Sequence, residues 1–318
     1  MPFTTEPSDV DVIVSGLLGG IDVSGGPTHE QLSILGAITR RVWRRADLDL
    51  ATMERLGPDE TAARLTSPSS RRRFHEIHVA LESCRHPQTL EQVELVERYA
   101  VAMGTMGPDA PLFRTFVEHG TERATADYDR FIADLLARRV EPSLGATPAA
   151  AEPELVSRLE RFADLPADSL GAAFLAFYER SGLSLPGATA SKLNHFFVAH
   201  DMTHVIAGIS TTAEGEVALS AFQMGMDDND INAGALLASL IAHEAGFGTP
   251  GTFEPESETL DSDQAAELLA AELARGSRCR ADFSLVDHFA LAPLPLAEVR
   301  ERFGVEAPDD PDDGHHLW

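Results

Sequence analysis

Between residues 196 and 222 the chain reads FFVAHDMTHVIAGISTTAEGEVALSAF. Apolar residues recur here at helical spacing, with a break at Gly208. Glycine accepts the positive φ that closes a helix, so the first helix is predicted to stop there. Thr211, followed three residues later by Glu214, has the pattern of a capping box and predicts the start of a second helix. The stretch therefore predicts helix, turn, helix. On the first helix His204 lies one turn beyond His200 and only about 40° round the axis, with Asp201 beside them. Two imidazoles at i and i+4 on one face can grip a single cation. Glu216 falls about one turn into the second helix, and a tight turn swings it back towards both histidines. His200, Asp201, His204 and Glu216 together offer two neutral nitrogens and two carboxylates, whose charge balances a divalent ion. The same four residues could instead form a hydrogen-bonded cap network around two core histidines.

Helical periodicity continues on both sides of this stretch. It covers 10–18, 29–43, 70–84, 89–103 and 111–136 in the first half, and 153–162, 170–180, 188–207, 213–224 and 231–245 in the second. Alternating β-branched runs are absent, so the predicted fold class is all-α, with two helical domains. Residues 141–153, EPSLGATPAAAEP, read as a Pro/Ala-rich linker between them. The expected organisation is a helical accessory domain at 1–140, the linker, a metal-binding helical domain at 154–306 and an acidic flexible tail at 307–318. Residues 151–318 alone are then expected to fold and retain metal.

The chain has 318 residues and a formal net charge of -26. Up to residue 150 there are 16 basic and 22 acidic residues; after it there are 9 and 29. Such an excess of acid excludes nucleic acid as a general partner and disfavours adsorption to anionic membranes. No signal peptide is evident in MPFTTEPSDV, and no apolar run reaches the ~18 residues of a membrane span. Cys84 and Cys279 cannot build a disulfide framework, which points to a reduced, cytoplasmic setting.

Other motifs carry less. GxxxxGK[ST] and GxSxG are absent, and Gly246, Gly248 and Gly251 read as a glycine-rich loop because no strand precedes them. His75, Glu76, His78, Cys84 and His86 fit no familiar metal spacing and read as structural. Arg40, Arg41, Arg44 and Arg45, like Arg71–Arg73, read as solvated helix faces. His195 falls on a different face from His200 and is expected to be dispensable. His243 is left outside the ligand set.

His200-Asp201-x-x-His204, then eleven residues, then Glu216 resembles the HDxxH-x11-E signature of the ubiquinone (coenzyme Q) biosynthesis Coq-four family. The resemblance extends over about residues 155–306, through Gly208, the Asn232-Ala-Gly-Ala-Leu-Leu stretch and the closing LPLAEVRERFGV at 294–305. It implies an all-α domain with His200, Asp201, His204 and Glu216 as ligands of a divalent metal, zinc first, with Fe2+ or Mg2+ as alternatives. It also implies a prenylated quinone precursor or isoprenoid lipid as ligand and other quinone-biosynthesis proteins as partners. The location it implies is cytoplasmic, with at most peripheral contact at the inner face of a membrane. The reaction class is oxidative loss of a ring carboxylate. Residues 1–140 lie outside the resemblance; there GGIDVSGGPTHEQ, 19–31, resembles the acidic inter-helix turn of tellurite-resistance TerB-like domains.

Zinc has no redox chemistry, so it would act as a Lewis acid on a ring hydroxyl while oxygen reacts with the ring. Four tetrahedral protein ligands would leave no open position, so Asp201 or Glu216 would have to yield and serve as a general base. These two are the catalytic candidates. A non-catalytic lipid-binding scaffold and a metal-dependent hydrolase are the alternative functions.

Overall fold

In the computed structural model, residues 3–107, 111–248 and 255–318 are described. Among them are fifteen α-helices and no strand, only isolated bridges. The first half comprises α1 (Val10–Gly20), α2 (His29–Arg41), α3 (Pro58–Arg64), α4 (Pro68–Ser83), α5 (Leu90–Met103), α6 (Pro111–His119) and α7 (Thr121–Arg138). The second comprises α8 (Pro153–Glu160), α9 (Leu170–Ser181), α10 (Asn194–Ala207), α11 (Ala213–Met226) and α12 (Asp230–His243). It closes with α13 (Asp263–Gly276), α14 (His288–Leu291) and α15 (Leu296–Phe303). The all-α expectation holds. The sequence reading omits α3, α13, α14 and α15 and starts the motif helix too early, since turns occupy 188–193. Of the glycine-rich loop, Gly246 and Gly248 follow α12, while Gly251 lies outside the described residues.

The centre of the fold is α11, apolar nearly all round and therefore buried on every side. Val217, Ala221 and Met224 face one apolar core; Ala218, Leu219, Phe222 and Met226 face another. Helix α13 lies against it at close range because two glycines replace side chains at the crossing. A Cβ on Gly225 would collide with the Leu273 carbonyl oxygen, and one on Gly276 with that of Phe222.

Three apolar clusters result. The first unites α1, α2, α4 and α5 with Val217, Met224, Leu236, Leu240, Leu269 and Leu273 of the second half. The second lies within the C-terminal half and includes Phe174, Phe177, Val198, Met202, Phe222 and Phe283. The third joins α5, α6 and α7 to Leu237, Ile241 and Phe247. Two of the three clusters thus cross the expected linker.

That linker is anchored at both ends. Buried Glu141 pairs with buried His288 at 2.8 Å, and its backbone N–H donates to the His195 carbonyl. At the far end Glu152 pairs with His195 at 2.6 Å. The last residues of the tail are held, whereas 307 and 309–312 are exposed, as their composition predicts. Ser210 N–H donates to the His315 carbonyl and Leu317 N–H to that of Gly208. His316 is buried between Glu272 and Asp313, and Trp318 stacks on Arg300 at 3.7 Å. The partners that hold 315–318 sit just beyond α10 and on α13 and α15.

Candidate metal centre

Helix α10 carries His200, Asp201 and His204 and ends, as predicted, at Gly208 with φ 68°. Helix ends leave carbonyl groups unpaired and gather negative potential. Buried Arg275 and half-buried Arg300 answer both needs here. Arg275 donates to the Ala207 carbonyl at 2.8 Å, and Arg300 to those of Ile206 and Val205 at 3.0 and 3.2 Å. The next helix is capped by Thr212, one residue later than predicted, whose hydroxyl accepts from Gly215 N–H at 3.1 Å. The short turn brings Glu216 over the α10 histidines.

The three groups converge. His200 Nε2 stands 3.1 Å from His204 Nε2 and 3.1 Å from Glu216 Oε2, and His204 Nε2 stands 3.3 Å from Glu216 Oε1. Bonds of ~2.0–2.1 Å to one tetrahedral cation separate neighbouring ligands by about 3.3 Å. The spacing of the donors therefore fits zinc. His204 Nδ1 faces the Ile209 carbonyl at 3.0 Å; with its proton there, the Nε2 lone pair points to the centre. Phe177 stacks on His204 and Phe196 on His200, at centroid separations of 5.7 and 5.0 Å. Such packing holds both rings in their ligating orientation.

Asp201 is placed differently. It is buried, within 4.8 Å of both imidazole ligand atoms, and accepts a hydrogen bond from Tyr178 Oη. Burial pushes the Asp201 carboxyl up, against the lowering influence of the two histidines and Tyr178. Burial, then the neighbouring Asp201 charge, pushes the Tyr178 phenol up, so it remains a donor. For Glu216 burial opposes ionisation, but the two histidines hold it well below the ordinary carboxylate range. His204 is raised: burial opposes its charged form, and Glu216 and Asp201 outweigh that cost.

His200 and Glu216 line a narrow, partly open cleft with a cavity volume of about 50 Å³. Its walls are largely aliphatic: Ile132, Leu135 and Leu136 at α7, and Ala235, Ala238 and Ala242 of α12. One wall thus comes from the N-terminal half. Arg139, at the end of α7, lines the same cleft while 95% buried. Burial lowers its guanidinium to about 10 despite Asp282 nearby, so it stays charged at neutral pH. It donates to Asn232 Oδ1 at 3.2 Å and to Gln223 Oε1. Arg139 has only donors to offer, which turns the Gln223 amide so that its buried Nε2 has no hydrogen-bond partner. His243 also lines the cleft, with a buried Nδ1 that lacks one.

Sequence reasoning missed Arg139 and Tyr178 and set His243 aside. Each reaches the centre from a separate helix, a relation that no local spacing reveals. His195 lies elsewhere, bonded to the Gly145 carbonyl and Glu152. The first-half cluster is dispersed: His78 meets the Gly20 carbonyl, Glu76 meets Arg72 and Arg73, and His86 meets Glu244.

No protein-family model matches the chain, and no curated protein shows significant similarity to it. Among solved structures the chain is similar to the crystal structure of a "putative ubiquinone biosynthesis protein" from Nostoc punctiforme. The two are 16% identical, with a TM-score of 0.35, over 76% of this chain and all of that one. No helix among the described residues is long and apolar enough to cross a membrane.

Proposed function

We propose that the chain is a zinc-binding protein of quinone biosynthesis that takes a prenylated aromatic acid into the α7–α12 cleft. The observation that carries the reading is the convergence of His200, His204 and Glu216, 3.1–3.3 Å apart, with His200 and Glu216 lining the same apolar cleft as the buried Arg139 guanidinium. The HDxxH-x11-E resemblance supports the same substrate class. His200, His204 and Glu216 hold the metal, and Asp201, bonded to Tyr178, is the further carboxylate that can join it. The metal, when bound, supplies Lewis acidity to a ring hydroxyl. Arg139 and the free Nε2 of Gln223 hold the ring carboxylate, since a buried cation and an unpaired donor both gain from an anion. The aliphatic walls take the proximal prenyl units and exclude water from the ring. With Glu216 lining the cleft and Asp201 beside the two histidines to accept a phenol proton, the site suits the oxidative decarboxylation that the resemblance implies, with dioxygen as the oxidant.

The test is titration of zinc-loaded protein with a short-chain prenylated hydroxybenzoate, its unprenylated ring and its methyl ester. The prenylated acid is expected to bind most tightly. Equal affinity for ring and prenylated acid, or for acid and ester, overturns the reading. Binding without turnover of the precursor assigns the protein to lipid presentation instead of catalysis.

A further inference from the structure

A second group of potential ligands lies away from the cleft, where the two halves of the chain meet. Glu30 stands in the first turn of α2, His86 in the loop between α4 and α5, and Glu244 at the end of α12. Their ligand atoms lie within 4.8 Å of one another. Glu244 is fully buried; its Oε1 is 2.5 Å from His86 Nε2, and its Oε2 accepts from Leu260 N–H at 2.7 Å. Glu30 is 93% buried, and its Oε1 is buried without a hydrogen-bond partner. Among the described residues no lysine or arginine is paired with either carboxylate. Asp261 and Glu258 add negative charge nearby.

From this geometry we infer that Glu30, His86 and Glu244 form a second divalent-cation site that clips the N-terminal half to the C-terminal half. Two adjacent buried carboxylates cannot both stay ionised without a compensating cation or proton. A proton joining Glu30 to Glu244 leaves Glu30 Oε1 bare, whereas a cation takes that oxygen as a ligand. One imidazole and two carboxylates suit zinc; calcium prefers an all-oxygen set. Cys84, though close, is not a ligand: burial and then the two glutamates push its thiol far up, and its Sγ–H donates to the Ala80 carbonyl. The ligands come from three elements, and only Glu244 belongs to the second half. Binding therefore favours the state in which the halves are docked.

The test uses the full chain, stripped with chelator, reloaded with zinc and freed of excess by gel filtration. Two zinc ions per chain are expected for the native sequence. His204→Ala is expected to keep one, and its thermal midpoint is expected to rise on adding zinc. Adding His86→Ala to His204→Ala should remove both the remaining ion and that rise. Glu30→Gln is the second probe, which leaves His86 and Glu244 in place should His86→Ala fail to fold. One ion in the native chain and none in His204→Ala overturns the clip while sparing the first centre. A Glu30→Gln chain that binds two ions, or is stabilised with unchanged zinc content, also overturns it and assigns a shared proton. One ion in both the native chain and His204→Ala supports the clip and overturns the first centre.

Discussion

At the scale of single residues, His204 completes the donor cluster and Arg139 supplies the charge of the adjoining cleft. Replacing His204 with Ala leaves only His200 and Glu216 converging on the centre, because Asp201 is engaged by Tyr178, and two protein donors hold zinc weakly. Elemental analysis is expected to show one zinc equivalent per chain fewer than in the native protein. Arg139→Gln preserves much of the volume and removes the charge. A charge-assisted hydrogen bond contributes about 1.5–3 kcal/mol, so affinity for the prenylated acid should fall roughly 10–150-fold. Calorimetry should show little change for the methyl ester, which separates loss of the anchor from general damage. The four motif residues are legible in the sequence because helical geometry alone relates positions 200, 201 and 204, and one turn brings Glu216 back. Arg139 is not legible: nothing between 139 and 200 says that the end of α7 lines one cleft with α10.

Among the elements, α11 and α13 depend on two absent side chains. Gly276→Ala puts a methyl group into the Phe222 carbonyl across the crossing. Backbone cannot yield there as a flexible side chain would, so the cost should reach or exceed the ~1–3 kcal/mol of ordinary overpacking. A lowered thermal midpoint, together with loss of zinc, is the expected result, because α11 carries Glu216. The docked tail answers to pH. His316 is raised: burial opposes its charge, but Glu272 and Asp313 outweigh that. Glu272 is lowered: burial opposes ionisation, but Arg275 and His316 prevail. The His316 contribution is therefore complete below its unfolded value of about 6.5 and fades as pH rises through the folded value. The Glu272 contribution is present above about 4.3 and fades as pH falls through its depressed value. Trp318 emission, read in a Trp43→Phe background, should report a docked tail on the weakly acidic side and progressive release on the alkaline side. His316→Gln should abolish the alkaline transition.

The whole molecule turns on cores that cross the middle of the chain. Proline-rich composition at 141–153 and the charge asymmetry predict separable halves, but Met224, Leu236, Leu240, Leu269 and Leu273 complete the core of α1, α2, α4 and α5. Burial of each large aliphatic side chain contributes about 1.5–3 kcal/mol, which residues 151–318 alone would forfeit. Expressed alone, that fragment is expected to aggregate or to bind zinc without discriminating the prenylated acid, since Arg139 and the α7 wall are gone. A soluble monomeric fragment with native ligand affinity would show that the cleft does not need the first half.

By itself the sequence determined the all-α class, the α10–turn–α11 unit and the four polar residues on it. Those features rest on periodicity, a glycine at a helix end and spacing within two turns, all of which act over a few residues. Tertiary structure alone decided that α7 forms a cleft wall, that Tyr178 holds Asp201, that His315 and Leu317 dock at the end of α10 and that Glu30 meets Glu244. Each of these joins residues distant in sequence, and burial makes the pairing matter: away from water, a charge or a donor must find its partner wherever the chain has brought one.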